Sequence, residues 1–441
     1  MKLIPRFDYE LSPRGRTQKV VMLLRIMADA PPATHSRAPI NLSLVIDRSG
    51  SMAGEKLERV KEAAHLVVNH LGPTDRLSVI TYDDHIDTVV PSAPVVNKDE
   101  IHHRIDDITS RGCTNLSGGW QRGEAQVREH HRKDGVNRVM LLTDGLANAG
   151  VTAHEQLVGM SQAFREDNGV ATTAIGVGED FDEDLLRKLA DAGGGNFFFI
   201  EKPDQAPAIF HEELGELLAL VGQDLLLTID FSPGVKLTEL LNDYPVESRD
   251  DGHPENGGGR IVLRLGDAFG GEEKAIICEL ELPAVHDDGP MAVASAQLTF
   301  MEMQPAIARR ELAVEVTRPV ADPEACADQP RDDDVVAAAM RLTIARKQAL
   351  AREQADAGDL RLASHTLMGT IRTISSMPAA MAGSFGAEMA EIQQTQSELE
   401  GGVYSKLARK QMMSRSHNAQ RGKGRYKTLG RDNDENESDQ D

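Results

Sequence analysis

The chain reads as α/β in its first half: a doubly wound, mostly parallel sheet, inserted in or followed by an antiparallel β-sandwich, then a small α-helical bundle and a disordered tail. Three observations predict this order. Between residues 41 and 203, β-rich runs alternate with amphipathic helical runs, and such alternation demands a sheet covered on both faces. After residue 223 the strand-like runs follow one another with only Gly- and Pro-containing turns between them, the pattern of an antiparallel sandwich. At Asp332-Asp333-Asp334 the pattern turns helical, opened by acids that suit the positive end of a helix dipole.

The elements follow in order. Residues 1–40 hold one clear strand, Lys19 to Ile26, closed by Pro31-Pro32, and it has to pair with something later in the chain. Residues 41–203 open on the strand Leu42 to Ile46. In the helix Lys56 to Leu71, the residues Leu57, Val60, Ala64, Val67, Val68 and Leu71 recur at three and four, which makes one buried stripe. Strands are expected at Leu77–Tyr82, Asp87–Val90, Arg138–Thr143, Val170–Val177 and Asn196–Ile200, with helices near 99–108, 117–130, 153–166 and 182–191. A connecting helix occupies 204–222, the sandwich 223–318 and a Pro- and Asp-containing linker 319–331. Residues 332–400 form the bundle, with helices Val335–Ala357, Leu360–Ser375 and Ala387–Leu399. Residues 401–441 are basic as far as Arg431 and then acidic, and both halves are expected to be disordered.

Composition sets limits on function. A chain of 441 residues has room for two or three cores, and 40% apolar residues suits a folded protein. A formal net charge of −22 disfavours nucleic acid and anionic membrane as partners of the whole surface. No apolar run approaches the roughly 20 residues of a membrane helix, and Met1 to Arg6 has no apolar leader core, so a cytoplasmic location is expected. Cys113, Cys278 and Cys326 are scattered and lack CxxC spacing, which fits a reducing compartment and neither a disulfide framework nor a zinc knuckle.

The chemistry concentrates in the loop Asp47-Arg48-Ser49-Gly50-Ser51-Met52. Asp and Ser before a helix also serve as plain N-caps. Here Asp47, Ser49 and Ser51 alternate, and a tight turn at Gly50 aims one carboxylate and two hydroxyls at a common point. Such a hard, oxygen-rich site suits Mg²⁺, with Mn²⁺ or Ca²⁺ as alternatives, better than zinc. Thr114, in the loop Gly112 to Gly119, and Asp144, at the end of Arg138–Thr143, add a hydroxyl and a second carboxylate. In open α/β sheets ligands bind beyond the carboxyl ends of the strands, where all three loops lie. Other patterns carry less. His102-His103 and His130-His131 are neighbours whose side chains diverge on a helix. Gly176 to Glu179 and Gly193 to Gly195 lack a phosphate-binding pattern, and Trp120 is expected to pack against the sheet. Ser49 has no GxSxG elbow and no readable His partner, so an enzyme is not expected.

Asp-x-Ser-x-Ser with a distant Thr and a distant Asp resembles the metal-ion-dependent adhesion site of von Willebrand factor A domains, with Asp47, Ser49, Ser51, Thr114 and Asp144 in the five ligand positions. Cys113 departs from the pattern, standing where many relatives have a second Gly before the Thr. Leu265-Gly266-Asp267 with Gly271-Glu272-Glu273-Lys274 resembles the sandwich of bacterial relatives of inter-alpha-trypsin-inhibitor heavy chains and "calcium-activated chloride channel" homologues, in which N-terminal strands join the sandwich. The resemblance implies a non-enzymatic scaffold whose metal accepts an Asp or Glu carboxylate of a partner protein. The alternative it implies is an accessory subunit of an AAA-type ATPase, MoxR-like or chelatase-like. A nucleic-acid role for the basic tail is disfavoured, because Tyr426 is its one aromatic residue between Lys406 and Arg431.

Overall fold

Ile40–Asp47 (β1) is buried at every one of its eight positions, which a strand tolerates only at the centre of a sheet covered on both faces. The computed structural model describes residues 1–29, 37–250, 257–287, 289–303 and 307–420, and places β1 in a six-stranded sheet. Chain order continues with Glu55–His70 (α1), Arg76–Tyr82 (β2), Ile86–Pro94 (β3), Lys98–Asp106 (α2), Leu116–Glu129 (α3) and Val136–Thr143 (β4). It closes with His154–Glu166 (α4), Ala171–Val177 (β5), Glu183–Gly193 (α5), Gly194–Ile200 (β6) and Ala206–Leu218 (α6). The strand order is β3-β2-β1-β4-β5-β6. All neighbours are parallel except β3, which turns back antiparallel on β2 at the edge.

The order reverses at β1: β2 lies on one side and β4 on the other, with Ile46 opposite Leu142. The carboxyl ends of β1 and β4 therefore stand side by side at the switch point, where a crevice opens in this fold class. Helix α3 lies close over these strands, because a Cβ on Gly119 would meet Tyr82 at 2.5 Å and one on Gly123 would meet Val45 at 2.3 Å. Trp120, wholly buried between them in sequence, donates its indole N–H to Thr172 Oγ1 at 3.2 Å and packs edge-on to Phe164 with centroids 5.0 Å apart.

The second unit contains residues 1–29, 224–301 and, among the described residues, 309–420. Lys2–Phe7, Gln18–Met27, Glu273–Leu282 and Lys236–Leu240 form one antiparallel four-stranded sheet, with Leu24 opposite both Pro5 and Ile276. A second sheet has the order Val246–Asp250, Gly257–Phe269, Leu220–Pro233, Pro290–Glu302, Ala308–Ala321 and Ser12–Pro13. One edge of it departs from the antiparallel expectation, since Ser12–Pro13 runs parallel to Val320–Ala321. Leu23 and Ile277 pack against Val335 and Leu342 of the helix Asp333–Asp356, while Met22, Leu24 and Ile26 on the opposite face of the strand are equally buried.

Several boundaries differ from expectation. The strand Ala308–Ala321 and the short helix Pro323–Ala327 take up most of the supposed linker 319–331. The expected helix 204–222 ends at Leu218, and the strand Leu220–Pro233 begins almost at once. In the Gly-containing stretch Asn256 to Gly259, where the sequence pattern gives a turn between strands, Asn256 lies outside the described residues and Gly257 already opens a strand. The bundle contains Asp333–Asp356, Leu360–Ser375, Ala379–Gly383 and Gly386–Glu400, with Asp332 and Asp359 as N-caps. The largest correction concerns the tail: Lys406–Gln420 is a helix, not a disordered segment. Met412 and Met413 are 2% exposed, and the basic residues find acids, Arg409 on Asp356 at 2.9 Å and Arg415 on Glu391 at 3.5 Å. Charge alone suggested disorder, but the charges are paired to the bundle. The tail from 421 lies outside the described residues. Among the described residues no helix is long and apolar enough to cross a membrane.

Replacing Trp120 by Ala removes the largest fully buried side chain over the switch point. We expect a loss of about 3–5 kcal/mol in urea unfolding, against a change within about 0.5 kcal/mol for Val96→Ala at an exposed position. A Trp120→Ala chain as stable as wild type contradicts this packing.

Candidate metal centre

Asp47 is the last residue of β1 and is wholly buried. Its two oxygens are both occupied: Oδ1 accepts the Ser49 N–H at 2.9 Å, and Oδ2 accepts the Thr143 hydroxyl at 2.8 Å from the end of β4. The first bond folds the loop back over the strand end and so brings Ser49 and Ser51 above it. Ser49 Oγ lies 3.1 Å from Ser51 Oγ, and Ser51 Oγ donates to Asp144 Oδ1 at 2.6 Å. Asp144 is wholly buried and follows β4 directly. Its other oxygen, Oδ2, takes the Lys56 ammonium from the first turn of α1 at 2.6 Å.

Thr114 reaches the same place from the third loop. A Cβ built on Gly145 would lie 3.6 Å from Thr114 Oγ1 and 4.0 Å from Ser51 Oγ, so both hydroxyls border one small space beside Gly145. Backbone bonds hold Thr114 there: Asn148 and Ala149 N–H donate to its carbonyl at 3.1 and 3.2 Å. Asn115 N–H donates to the Asp83 carbonyl at 2.9 Å, and the Asn115 side chain caps α3 by accepting from Gly118 N–H at 3.1 Å. The first loop is tied to the second where Gly50 N–H donates to the Gly112 carbonyl at 3.1 Å and Arg111 N–H to the Arg48 carbonyl at 2.8 Å. Gly112 has φ +69°, and a Cβ there would lie 1.9 Å from Asp84 Oδ1, so the loop needs glycine at that residue. Cys113, exposed, takes the next position with Thr114 still in place. The structure thus brings Asp47, Ser49, Ser51, Thr114 and Asp144 together at one edge of the sheet.

Arg48, for which the sequence leaves open a solvated loop side chain or a local salt bridge, is buried at 7% exposure. Its Nε donates to Asp83 Oδ2 at 3.0 Å and its Nη2 pairs with Asp87, while Arg111 donates to the same two carboxylates at 2.7 and 3.0 Å. Burial alone would raise the Asp83 pKa, but the His85 N–H and the two guanidiniums lower it below the ordinary range. Asp83, Asp84 and His85 hold ligand atoms within 4.8 Å of one another, yet both oxygens of Asp83 are already committed to these bonds. Sequence reasoning missed Thr143, Lys56 and the Asp83–Arg48–Arg111–Asp87 group. The only signal for Thr143 was its place at a strand end beside Asp144; the others are joined across loops far apart in the chain.

Five oxygen-bearing side chains, two of them carboxylates, make a donor set suited to a hard cation and poor for a soft one. The Lys56 ammonium on Asp144 shows that the site attracts positive charge. Burial pushes the Asp47 carboxyl up to about 6, against the pull of the Ser49 and Thr143 hydrogen bonds and with the help of the Asp144 charge.

Residues 41–212 match the family model described as von Willebrand factor type A domain. Among curated proteins, the uncharacterized protein YfbK of Escherichia coli (strain K12) is 30% identical over 228 residues, covering 51% of this chain and 39% of YfbK. Inter-alpha-trypsin inhibitor heavy chain H3 of Homo sapiens is 34% identical over 128 residues, 27% of this chain and 14% of that one. The chain therefore spans well under half the length of these two relatives. A solved structure, von Willebrand factor type A from Catenulispora acidiphila, superposes with a TM-score of 0.66 at 16% identity, over 96% of this chain and 97% of that one.

The Asp47 carboxyl sets a pH test of the site without metal. Its folded pKa of about 6 exceeds the unfolded value near 4, so this group costs stability as pH rises from 4 through 6 and leaves the cost in place above. In EDTA at neutral pH, Asp47→Asn is expected to be more stable than wild type by roughly 2–3 kcal/mol in urea unfolding, with the difference gone below about pH 4. An Asn variant less stable than wild type at neutral pH contradicts the buried, unneutralised carboxylate.

Proposed function

Because this chain carries a von Willebrand factor type A domain over residues 41–212, we propose that it is a non-enzymatic, divalent-metal-dependent protein-binding scaffold. The observation that carries the reading is the continuous run of donors at the switch point, from Ser49 Oγ through Ser51 Oγ to Asp144 Oδ1, with Lys56 on the far oxygen. Ser49, Ser51 and Thr114 would hold the ion through neutral oxygens, and Asp47 and Asp144 would act directly or through water. Mg²⁺ suits this set best, since it keeps several of its waters and needs few carboxylates.

A set dominated by neutral oxygens leaves positive charge on the ion. The ion would therefore take a further oxygen from an Asp or Glu of a partner protein, and the bound metal would supply the attraction for that carboxylate. Ser51 is exposed, so the approach is open from solvent. An ion that binds Asp144 Oδ2 has to displace the Lys56 ammonium, which makes Lys56 a built-in competitor. The net charge of −22 means that the whole surface repels acidic partners, which leaves a local cation to provide the specific attraction. Three free cysteines support a reducing, cytoplasmic setting.

Calorimetric titration with Mg²⁺ is expected to show one site in wild type, lost in Asp47→Ala and Asp144→Ala and tightened in Lys56→Met. Capture of proteins from a lysate of the source cells should then lose the same set of partners in EDTA and in Asp47→Ala. Unchanged Mg²⁺ binding in both Ala variants, or a partner set indifferent to EDTA and to the mutation, refutes the reading.

A further inference from the structure

Helix α1 presents His65 and Asn69 four residues apart, hence on one face, and α2 presents His102 and Asp106 with the same spacing. The two faces meet in a crossed arrangement. His65 Nε2 lies 2.8 Å from Asp106 Oδ1, and His102 Nε2 lies 3.0 Å from Asn69 Oδ1. Both acceptors are oxygens, so each ring carries its hydrogen on Nε2 and turns the lone pair of Nδ1 inward. Those two Nδ1 atoms face each other at 2.5 Å. Two lone pairs repel at that distance, and a cation between them is what removes the repulsion.

A proton on His65, donated to His102, and a divalent metal are the two cations that fit there. Burial, and the His65 ring beside it, lower the His102 pKa below its ordinary value, which favours the neutral imidazole that binds metal. We propose that His65 and His102 form a site for Zn²⁺ or another borderline divalent transition metal, which clamps α2 onto α1 through their Nδ1 atoms. A metal about 2.0–2.1 Å from each nitrogen sets a tetrahedral N···N separation of about 3.3 Å, so the rings need to part by under about 1 Å. The outer partners are those of a metal-bound histidine: a carboxylate on one Nε2–H and an amide oxygen on the other, each fixing tautomer and orientation. The His65 side chain is 24% exposed, which leaves water free to complete the coordination. Nitrogen donors distinguish this site from the all-oxygen set at Asp47, since imidazole selects zinc, copper and nickel over magnesium.

The test is a Zn²⁺ titration of the full chain by calorimetry in saturating Mg²⁺, with circular dichroism to verify folding. Wild type is expected to bind one Zn²⁺ that His65→Ala and His102→Ala each weaken by about tenfold or more, and Asp106→Asn by about tenfold. His103→Ala, on the neighbouring exposed position, and Asp47→Ala should leave it unchanged, which separates this site from the proposed oxygen site. Should an Ala variant fail to fold, His102→Gln serves in its place. No Zn²⁺ binding in wild type, or equal binding in the His65→Ala/His102→Ala double variant, overturns the proposal. Either result would leave the pair as a hydrogen bond, with the Asn69 amide turned to donate and His102 donating from Nδ1 to His65.

Discussion

Everything at the carboxyl edge of the α/β sheet answers to one constraint: the buried carboxylate of Asp47 must be satisfied where β1 and β4 part. An unpaired carboxylate away from water is among the costlier things a fold can hold. The Ser49 N–H and the Thr143 hydroxyl meet that need from opposite sides. In doing so they fold the Asp47–Met52 loop over the strand end and fix β1 against β4. The loop then places Ser51 on Asp144, and Asp144 draws in Lys56. The carboxylates remain short of positive charge, and a divalent ion is the group we propose to complete them.

A second electrostatic layer stiffens the rim. Arg48, next to Asp47 in sequence, points away from the donor set and into Asp83 and Asp87, where Arg111 joins it. Two guanidiniums and two carboxylates thereby pin the first and second loops together. This leaves Ser51 as the exposed member of the oxygen-bearing set, above the buried Asp47, Ser49, Thr114 and Asp144.

The strands, helices and five oxygen-bearing side chains of the α/β unit were legible in sequence because each rests on local signals. Strands alternate with stripes of period 3.6, and the alternating Asp47, Ser49 and Ser51 sit on a turn next to a strand. What escaped the sequence depends on residues brought together over long distances. The partners of Arg48 escaped because Asp83 and Asp87 lie 35 and 39 positions away. His102 read as one of an outward pair with His103, since nothing near it in sequence announces His65, 37 positions earlier. The helix Lys406–Gln420 escaped for a different reason: its basic residues resemble a disordered tail until Asp356 and Glu391 neutralise two of them and its methionines find a core. Composition describes a segment in isolation, whereas packing depends on what surrounds it.

Direct location of a divalent ion decides whether the donors at the switch point hold one. Crystals grown with Mn²⁺ and measured at its absorption edge should show an anomalous peak about 2.0–2.3 Å from the hydroxyl oxygens of Ser49 and Ser51, with Lys56 displaced from Asp144. A peak elsewhere with this cluster empty, and Lys56 still on Asp144 at saturating Mn²⁺, would contradict the account and leave the five side chains as a hydrogen-bonded strand cap.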